Sequence, residues 1–252
     1  DIAVLGAGRI GRIHAGNVAA HPGARLVGVA DAAADAAAAL AGALGVPAID
    51  TDAAFKADAV MVCTPTPTHA GFIERAAAAG IAVFSEKPID LSAERTRQCL
   101  AAAKAAGIPL MVGFNRRFDP HFSGLKQRLA DGAIGSLELL QIVSRDPSPP
   151  PLSYVATSGG LFRDMMIHDL DMARFLLNEE PVAVSAAASC LVDPAIGAAG
   201  DVDTAVVTLR TASGRLCQIS NSRRAVYGYD QRIEAHGAVA QPFVAEEDER
   251  RG

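Results

Sequence analysis

Two residues with acid–base chemistry, Asp164 and His168, are four apart in a segment whose pattern predicts one helix to about residue 177. That separation is roughly one helical turn, so it predicts a carboxylate and an imidazole on one face of the helix. A histidine beside a carboxylate can take a proton from a hydroxyl group near neutral pH. Alone the pair indicates little, but the same chain opens with the glycine motif Gly6-x-Gly8-x-x-Gly11, and together they predict a hydride-transfer enzyme that oxidises an alcohol.

A structural role and a metal site are the alternatives for this pair. A helical histidine often packs in the core or caps a neighbouring group. Asp171, three residues after His168, could supply a third metal ligand. The residues after Asp171 predict a helix that continues into the core, and no other His or Cys is placed to complete a site. We therefore expect acid–base chemistry and no metal. A nucleophilic serine is not indicated, because the chain has no Gly-x-Ser-x-Gly motif.

A glycine-rich motif, Gly6-x-Gly8-x-x-Gly11, follows a short apolar strand and opens a predicted helix. In a dinucleotide-binding turn the first glycine permits the tight turn, the second lets a pyrophosphate approach, and the third lets the helix pack on the strand. Arg9 and Ile10 begin the helix, whose N-terminus attracts the phosphates. The context favours a dinucleotide site over a turn without a ligand.

Asp31 stands twenty residues after Gly11, at the end of the second predicted strand. A carboxylate at that place accepts hydrogen bonds from the adenosine ribose and repels a 2′-phosphate. The following Ala32-Ala33-Ala34 supplies no arginine for such a phosphate. The sequence thus predicts NAD rather than NADP as cofactor. A helix N-cap is the alternative role for Asp31, and both roles can coexist.

Lys87 lies in Glu86-Lys87-Pro88, directly after a buried strand. Ligands of open α/β sheets collect at the carboxyl ends of the strands. A lysine there can hold a substrate oxygen or stabilise a developing alkoxide. A solvated surface lysine is the alternative, and the position between a strand end and a proline favours the functional role.

Composition limits the classes of function. The chain has 252 residues, half of them hydrophobic, and a net charge of −5, typical of a soluble protein of one or two domains. It has no basic block and no apolar run that could span a bilayer, so we expect neither nucleic acid nor membrane as partner. The four cysteines lack Cys-x-x-Cys spacing, which indicates a reducing compartment such as the cytoplasm.

Elements alternate between strand and helix up to about residue 115, which predicts a Rossmann-type, doubly wound parallel sheet. Consecutive strands after that point predict an α+β domain with a largely antiparallel sheet. We therefore expect an NAD-binding domain over residues 1–115 and a domain for substrate binding and oligomerisation over residues 116–252. Apolar residues on the second sheet predict a homo-oligomer. The charged segment 245–252 suggests a solvated tail.

Five motifs carry a family resemblance. They are Gly6-x-Gly8-x-x-Gly11-x-x-His14, CTPTPTH at 63–69, Glu86-Lys87-Pro88, GFNRRFD at 113–119, and Asp164-x-x-x-His168. Together they resemble the family of glucose–fructose oxidoreductases and inositol dehydrogenases, over residues 1 to about 236. Members continue for several tens of residues past the strand near residue 233, so we expect this chain to be incomplete at its C-terminal end.

The resemblance implies a catalytic set of Lys87, Asp164 and His168. For NAD it adds to the glycine motif and Asp31 the residues Thr64, Thr66, His69, Glu86 and Lys87. For substrate hydroxyls it implies Asp164 and His168 together with Asn115, Arg116, Asp146, Tyr227 and Tyr229. It also implies a dimer or tetramer.

Within the family, segments 144–147, 158–164, 221–224 and 227–230 resemble inositol 2-dehydrogenases. This implies oxidation of a cyclic polyol, most closely myo-inositol to its 2-ketone. Three alternatives remain open: a dehydrogenase of another inositol isomer or an aldose, an NAD-binding sensor without catalysis, and a transhydrogenase that never releases its cofactor.

Overall fold

The computed structural model describes residues 1–239 and 243–247. The chain divides into two compact units, the first covering Asp1–Gly113 and the second beginning at Phe114. The sequence places the boundary two residues later, after residue 115. Among the helices in the described ranges, none is long and apolar enough to cross a membrane.

The first unit alternates strands with helices along its length. Its strands are β1 (Ile2–Leu5), β2 (Leu26–Ala30), β3 (Ala59–Val62), β4 (Ala82–Ser85) and β5 (Leu110–Val112). Its helices are α1 (Arg9–Ala20), α2 (Ala34–Leu44), α3 (Thr51–Ala54), α4 (His69–Ala79) and α5 (Ala93–Ala106), with a 3-10 turn over Thr66–Thr68.

The five strands form one parallel sheet in the order β2-β1-β3-β4-β5. Successive side chains of a strand point to opposite faces, and both faces here are apolar. Leu5 of β1 packs with α4 and α5 on one face, whereas Val4 packs with α1 and α2 on the other. This is the doubly wound arrangement that the sequence predicts.

The order of the strands brings three of the predicted functional segments to one edge of this sheet. Because β1, β3 and β4 are parallel neighbours, their carboxyl ends lie side by side. The glycine motif follows β1, the Thr64–Thr68 segment follows β3, and Glu86 and Lys87 follow β4.

The second unit combines helices with a larger sheet. Its helices are α6 (Pro120–Ala130), α7 (Leu152–Ser158), α8 (Gly160–Asp164), α9 (Met166–Leu177) and α10 (Pro194–Ala198), with a 3-10 turn over Asn115–Phe118. Its strands are β6 (Leu137–Arg145), β7 (Pro181–Ser189), β8 (Thr204–Thr211), β9 (Leu216–Ser222), β10 (Asp230–Gly237) and β11 (Phe243–Glu247).

These strands are ordered β11-β10-β6-β9-β8-β7, and every neighbouring pair is antiparallel except β6 with β9. The sheet is therefore largely antiparallel, as the sequence predicts. One face packs on α6 and α9, through side chains such as Leu140, Val207 and Ile219 against Phe122 and Met172.

Two local predictions are wrong. The predicted helix that carries Asp164 and His168 is broken at Met165, so the two residues lie on α8 and α9 rather than on one continuous helix. The amide of His168 donates to the Met165 carbonyl, three residues back, where an α-helix would bond four back. The second error concerns the predicted tail. Residues 243–247 form β11, an added strand paired with β10, and residues 248–252 lie outside the described residues.

Candidate active site

The glycine motif is shaped by two contacts that exclude any side chain. Gly6 has φ +103°, and a Cβ on it would lie 2.5 Å from the Cys63 carbonyl oxygen. A Cβ on Gly11 would lie 1.9 Å from the carbonyl oxygen of Gly6, because helix α1 packs directly on the end of β1. Gly8 has open space around its Cα, as expected for a backbone that a ligand approaches.

Helix α1 begins in a form that suits a pyrophosphate. Gly8 is its N-cap, no side chain in the described ranges caps it, and its first turn carries no acidic residue. The first amide bonded back within the helix is that of Arg12, to the Gly8 carbonyl. The amides of Arg9 and Ile10 are thus oriented for an anion at the positive end of the helix dipole. The residues present fit a dinucleotide.

Asp31 fixes the glycine motif as well as the start of the next helix. Its Oδ2 accepts from the Ala7 amide at 2.6 Å, and its Oδ1 accepts from the Ala33 amide at 2.8 Å. Each carboxylate oxygen keeps a second lone pair that a ribose hydroxyl could use. The alternative role predicted for Asp31 is that of a helix N-cap. The N-cap residue of α2 is Ala33, and Asp31 accepts from the amide of that residue instead of capping the helix itself.

The segment after β3 is held from below by His69. This side chain is 1% exposed, and its Nδ1 and Nε2 lie 2.7 and 2.6 Å from the carbonyl oxygens of Pro88 and Thr64. The Thr64 hydroxyl bonds with Thr68, while Thr66 lies in the 3-10 turn. Because both ring nitrogens of His69 face backbone oxygens, we expect it to shape this segment rather than to contact the cofactor.

Glu86 contacts His14, a residue of the glycine motif whose role sequence reasoning leaves unassigned. The His14 Nε2 lies 2.7 Å from Glu86 Oε1, and the His14 ring packs against Phe84. The Lys87 amide donates to Glu86 Oε2 at 3.3 Å, and Lys87 is half-buried. Glu86 therefore links the end of β4 to helix α1.

In the second unit, Asp164 is held by two side chains. The Tyr154 hydroxyl donates to Asp164 Oδ1 at 2.8 Å, and Arg223 Nη1 lies 3.8 Å from Asp164 Oδ2. His168 is half-buried, with its ring edge-on to Phe114 at 6.5 Å between ring centres. A carboxylate and an imidazole are thus present near the joint between α8 and α9.

Arg116 occupies a buried network instead of an open site. Its guanidinium donates to Asp169 and, at 3.0 Å, to the Ser144 hydroxyl, and the Asn221 amide donates to Asp169 at 2.8 Å. Burial raises the pKa of Asp169, while the attraction of Arg116 and the hydrogen bonds oppose that rise. The sequence predicts Arg116 as a hydroxyl contact. This stays a prediction, and the structure adds that the guanidinium pairs with Asp169, the neighbour of His168.

Asp171, the residue considered as an alternative metal ligand, also forms an ion pair with an arginine. Its two oxygens accept from Arg117 Nε at 2.7 Å and Nη2 at 2.5 Å. This bidentate pair engages both oxygens of the carboxylate and anchors the 3-10 turn over Asn115–Phe118 to α9.

The remaining predicted substrate contacts differ in exposure. Asn115 is exposed, Tyr229 is 45% exposed, and Tyr227 donates its hydroxyl to Asp230 at 2.7 Å. Asp146 is half-buried just after β6, and burial raises its pKa while the nearby Arg223 opposes that rise. The acidity of Asp146 therefore depends on its burial and on the buried charge of Arg223 in the same unit.

Sequence reasoning misses three side chains that hold the predicted residues. Tyr154 and Arg223 contact Asp164, and Asn221 contacts Asp169. Tyr154 lies on α7, a helix that the sequence pattern does not indicate. Arg223 and Asn221 lie in a segment that carries the resemblance, and only their burial reveals the contacts.

Two family descriptions match almost the whole chain. "Oxidoreductase family, NAD-binding Rossmann fold" matches residues 1–114, and "GFO/IDH/MocA C-terminal domain" matches residues 122–240. The first description agrees with the dinucleotide cradle formed by the glycine motif, the N-terminus of α1 and Asp31.

Named relatives are similar over most of their length. The inositol 2-dehydrogenase of Rhizobium meliloti (strain 1021) is 59% identical over 98% of this chain and 75% of its own. The myo-inositol 2-dehydrogenase of Thermotoga maritima is 47% identical over 96% of this chain and 74% of its own. A solved structure of a putative myo-inositol dehydrogenase from Sinorhizobium meliloti 1021 superposes with a TM-score of 0.95 at 57% identity, covering 98% of this chain and 76% of that one.

Proposed function

The chain belongs to the GFO/IDH/MocA family of NAD-binding oxidoreductases, and on that premise we propose that it oxidises myo-inositol to the 2-keto inositol. The observation that carries the proposal is the pair formed by Asp164 and His168. Asp164 is held by Tyr154 and Arg223, four residues before His168, in a chain whose first unit carries a dinucleotide cradle. The named relatives, which are inositol dehydrogenases, support the polyol as substrate.

The protein's own residues supply geometry and acid–base chemistry. When bound, NAD supplies the hydride acceptor. His168 takes the proton of the reacting hydroxyl as the carbon–hydrogen bond breaks. Lys87 orients that oxygen and stabilises its developing negative charge. Asp164 accepts a hydrogen bond from a neighbouring hydroxyl or orients His168, and Asp146 accepts from another hydroxyl of the ring.

An absorbance assay at the NADH band tests this proposal on the purified chain. We expect the highest kcat/KM with myo-inositol and lower values with scyllo-inositol and with glucose. A higher kcat/KM for another polyol would identify that polyol as the substrate in place of myo-inositol. Binding of NAD without reduction by any polyol would favour the sensor, and nicotinamide cofactor that survives purification would favour the transhydrogenase.

We further propose a dimer or tetramer assembled through the sheet of the second unit. The face opposite the core carries Val206 and Leu216, which are 40% and 41% exposed, and edge strand β7 exposes Val182 and Val184. An uncovered apolar sheet face is usually buried against another layer or subunit. Leu216→Glu should therefore reduce the mass measured by light scattering to that of a 26.0 kDa monomer.

Leu100→Glu is the matched control for this variant. Leu100 is 42% exposed on α5 of the first unit, so the same charge is added at equal exposure away from the sheet. Its mass should equal that of the wild type. A wild-type chain that is a stable, fully active monomer at micromolar concentration would refute the assembly.

A reducing compartment such as the cytoplasm is also proposed. All four cysteines lie within the described residues and none is in a disulfide. Burial raises the pKa of Cys63 and of Cys217 to about 12, so these thiols are poor nucleophiles. These observations support the proposal that the thiols stay reduced, as they do in the cytoplasm.

A further inference from the structure

Arg223 is a fully buried arginine between two acidic side chains of the second unit. It is 1% exposed. Its Nη1 lies 3.8 Å from Asp164 Oδ2 and its Nη2 lies 3.4 Å from Asp201 Oδ2. Asp164 and Asp201 are themselves only 14% and 12% exposed at their side chains. One guanidinium thus serves two carboxylates from separate parts of the chain.

The contacts of Arg223 are poor for a residue kept only for stability. Both ion-pair distances are long, and within the described residues the buried Nε has no hydrogen-bond acceptor. Burying a guanidinium is costly, and even well-made buried ion pairs are weak evidence for stability. Such an arrangement is typical of a functional site, where a charge is held for what it does to its neighbours.

Asp201, the second acidic partner of Arg223, anchors helix α8. Its two oxygens accept from the Leu161 amide at 3.1 and 3.2 Å, in the first turn of that helix. Gly160 has φ +78°, and a Cβ there would lie 2.5 Å from Asp201 Oδ1. Asp164 closes the same helix, so Arg223 bridges a carboxylate that anchors α8 at its start and one that α8 carries at its end.

Arg223 also acts on Asp146. Burial raises the pKa of Asp146 and the negative charges of Asp164 and Asp169 raise it further, while the positive charges of Arg223 and Arg116 lower it. Loss of Arg223 would therefore raise this pKa. An ionised Asp146 accepts from a hydroxyl, so its protonation contributes to the acidic limb together with protonation of the general base His168.

We propose that Arg223 is a positioning residue of the reaction, which by pairing with Asp164 and Asp201 at once fixes the Asp164 carboxylate for a substrate hydroxyl. This role rests on the proposed function, since it needs a polyol at Asp164. Tyr154 fixes the other oxygen of the same carboxylate, so Asp164 is held from two sides. Arg223 touches neither the reacting atoms nor the cofactor in this role.

Four proteins test the proposal: wild type, Arg223→Met, Arg223→Lys and the control Arg224→Met. Arg224 is the next residue and is exposed, so its variant removes the same charge from the surface. For each we measure kcat and KM for myo-inositol across pH, the Kd of NADH by fluorescence, and the Tm. Arg223→Met should lower kcat/KM by about 10²-fold, the loss expected when a reacting geometry is misplaced. Its acidic limb should move to higher pH, with the Kd of NADH unchanged.

The lysine variant separates positioning from charge alone. An ammonium keeps the charge but cannot span two carboxylates with a planar fork, so Arg223→Lys should keep the wild-type acidic limb with an intermediate kcat/KM. Arg224→Met should match the wild type throughout.

Each remaining outcome decides against the proposal. Wild-type kcat/KM in a folded Arg223→Met protein would reduce Arg223 to a structural role. If that variant does not fold, wild-type kcat and KM in Arg223→Lys would overturn the proposal in its place. Failure of the proposed function is recognised separately, because then no polyol would support reduction of NAD even by the wild type.

Discussion

Replacing His168 with alanine is expected to lower kcat for the polyol by about 10²–10⁴-fold, the contribution of a positioned general base. The proton of the reacting hydroxyl then has no acceptor, while Asp164 and its partners stay in place. The Kd of NADH should stay close to the wild-type value, because the glycine motif and Asp31 are proposed to hold the cofactor and His168 is proposed for proton transfer alone. Single-turnover kinetics and NADH fluorescence measure the two effects separately.

His121→Ala is the matched control for this variant. His121 is an exposed histidine in the first turn of α6, in the same unit, and its amide is bonded to Asp119. Its removal should leave kcat unchanged. Wild-type turnover in His168→Ala would assign the base to another group, whereas a large rise in the Kd of NADH would mean that His168 holds the cofactor.

The first unit is predictable because its signals are local. A short apolar strand, a glycine at a tight turn and a helix start are encoded within about a dozen residues, and two of the three glycines have the backbone roles that their positions predict. Gly6 adopts φ +103° and Gly11 lets α1 touch the end of β1. The alternation of strands with helices then leaves few topologies to consider.

The second unit is harder to predict because its contacts are between distant residues. The sequence between Asp164 and His168 has no glycine or proline, so nothing local signals the break at Met165. The joint follows from different partners on its two sides: Asp164 is held by Tyr154, whereas Asp169 is held by Arg116. A helical pattern predicts the period of a helix but not where tertiary contacts interrupt it.

Arg116 shows the same limit for a site residue. Its place in a motif predicts a contact with substrate, and the structure adds a pair that the sequence does not reveal, with Asp169, 53 residues later. A single sequence does not reveal such a pair. Burial explains the pair, because a buried carboxylate such as Asp169 needs a cation or hydrogen-bond donors.

Replacing Asp31 with serine and Ala32 with arginine should convert a strong preference for NAD into a weak one. A charge-assisted hydrogen bond contributes about 1.5–3 kcal/mol, so its loss should lower kcat/KM for NAD by about 10–100-fold. The same change removes a carboxylate that repels a 2′-phosphate and adds a guanidinium that binds one, so kcat/KM for NADP should rise. The ratio of the two kcat/KM values measures the shift.

Asp31 also holds the Ala7 amide at 2.6 Å, so a second variant must separate ribose recognition from support of the glycine motif. Asp31→Asn keeps a carbonyl oxygen for that amide but loses the charge, and it should weaken the preference without abolishing NAD binding. Asp35→Ser is the control: it removes an exposed carboxylate from the first turn of α2 and should leave the ratio unchanged. Equal kcat/KM values for the two cofactors in the wild type would show that Asp31 does not discriminate between NAD and NADP. Its charge would then neither favour the ribose hydroxyls of NAD nor repel the 2′-phosphate of NADP.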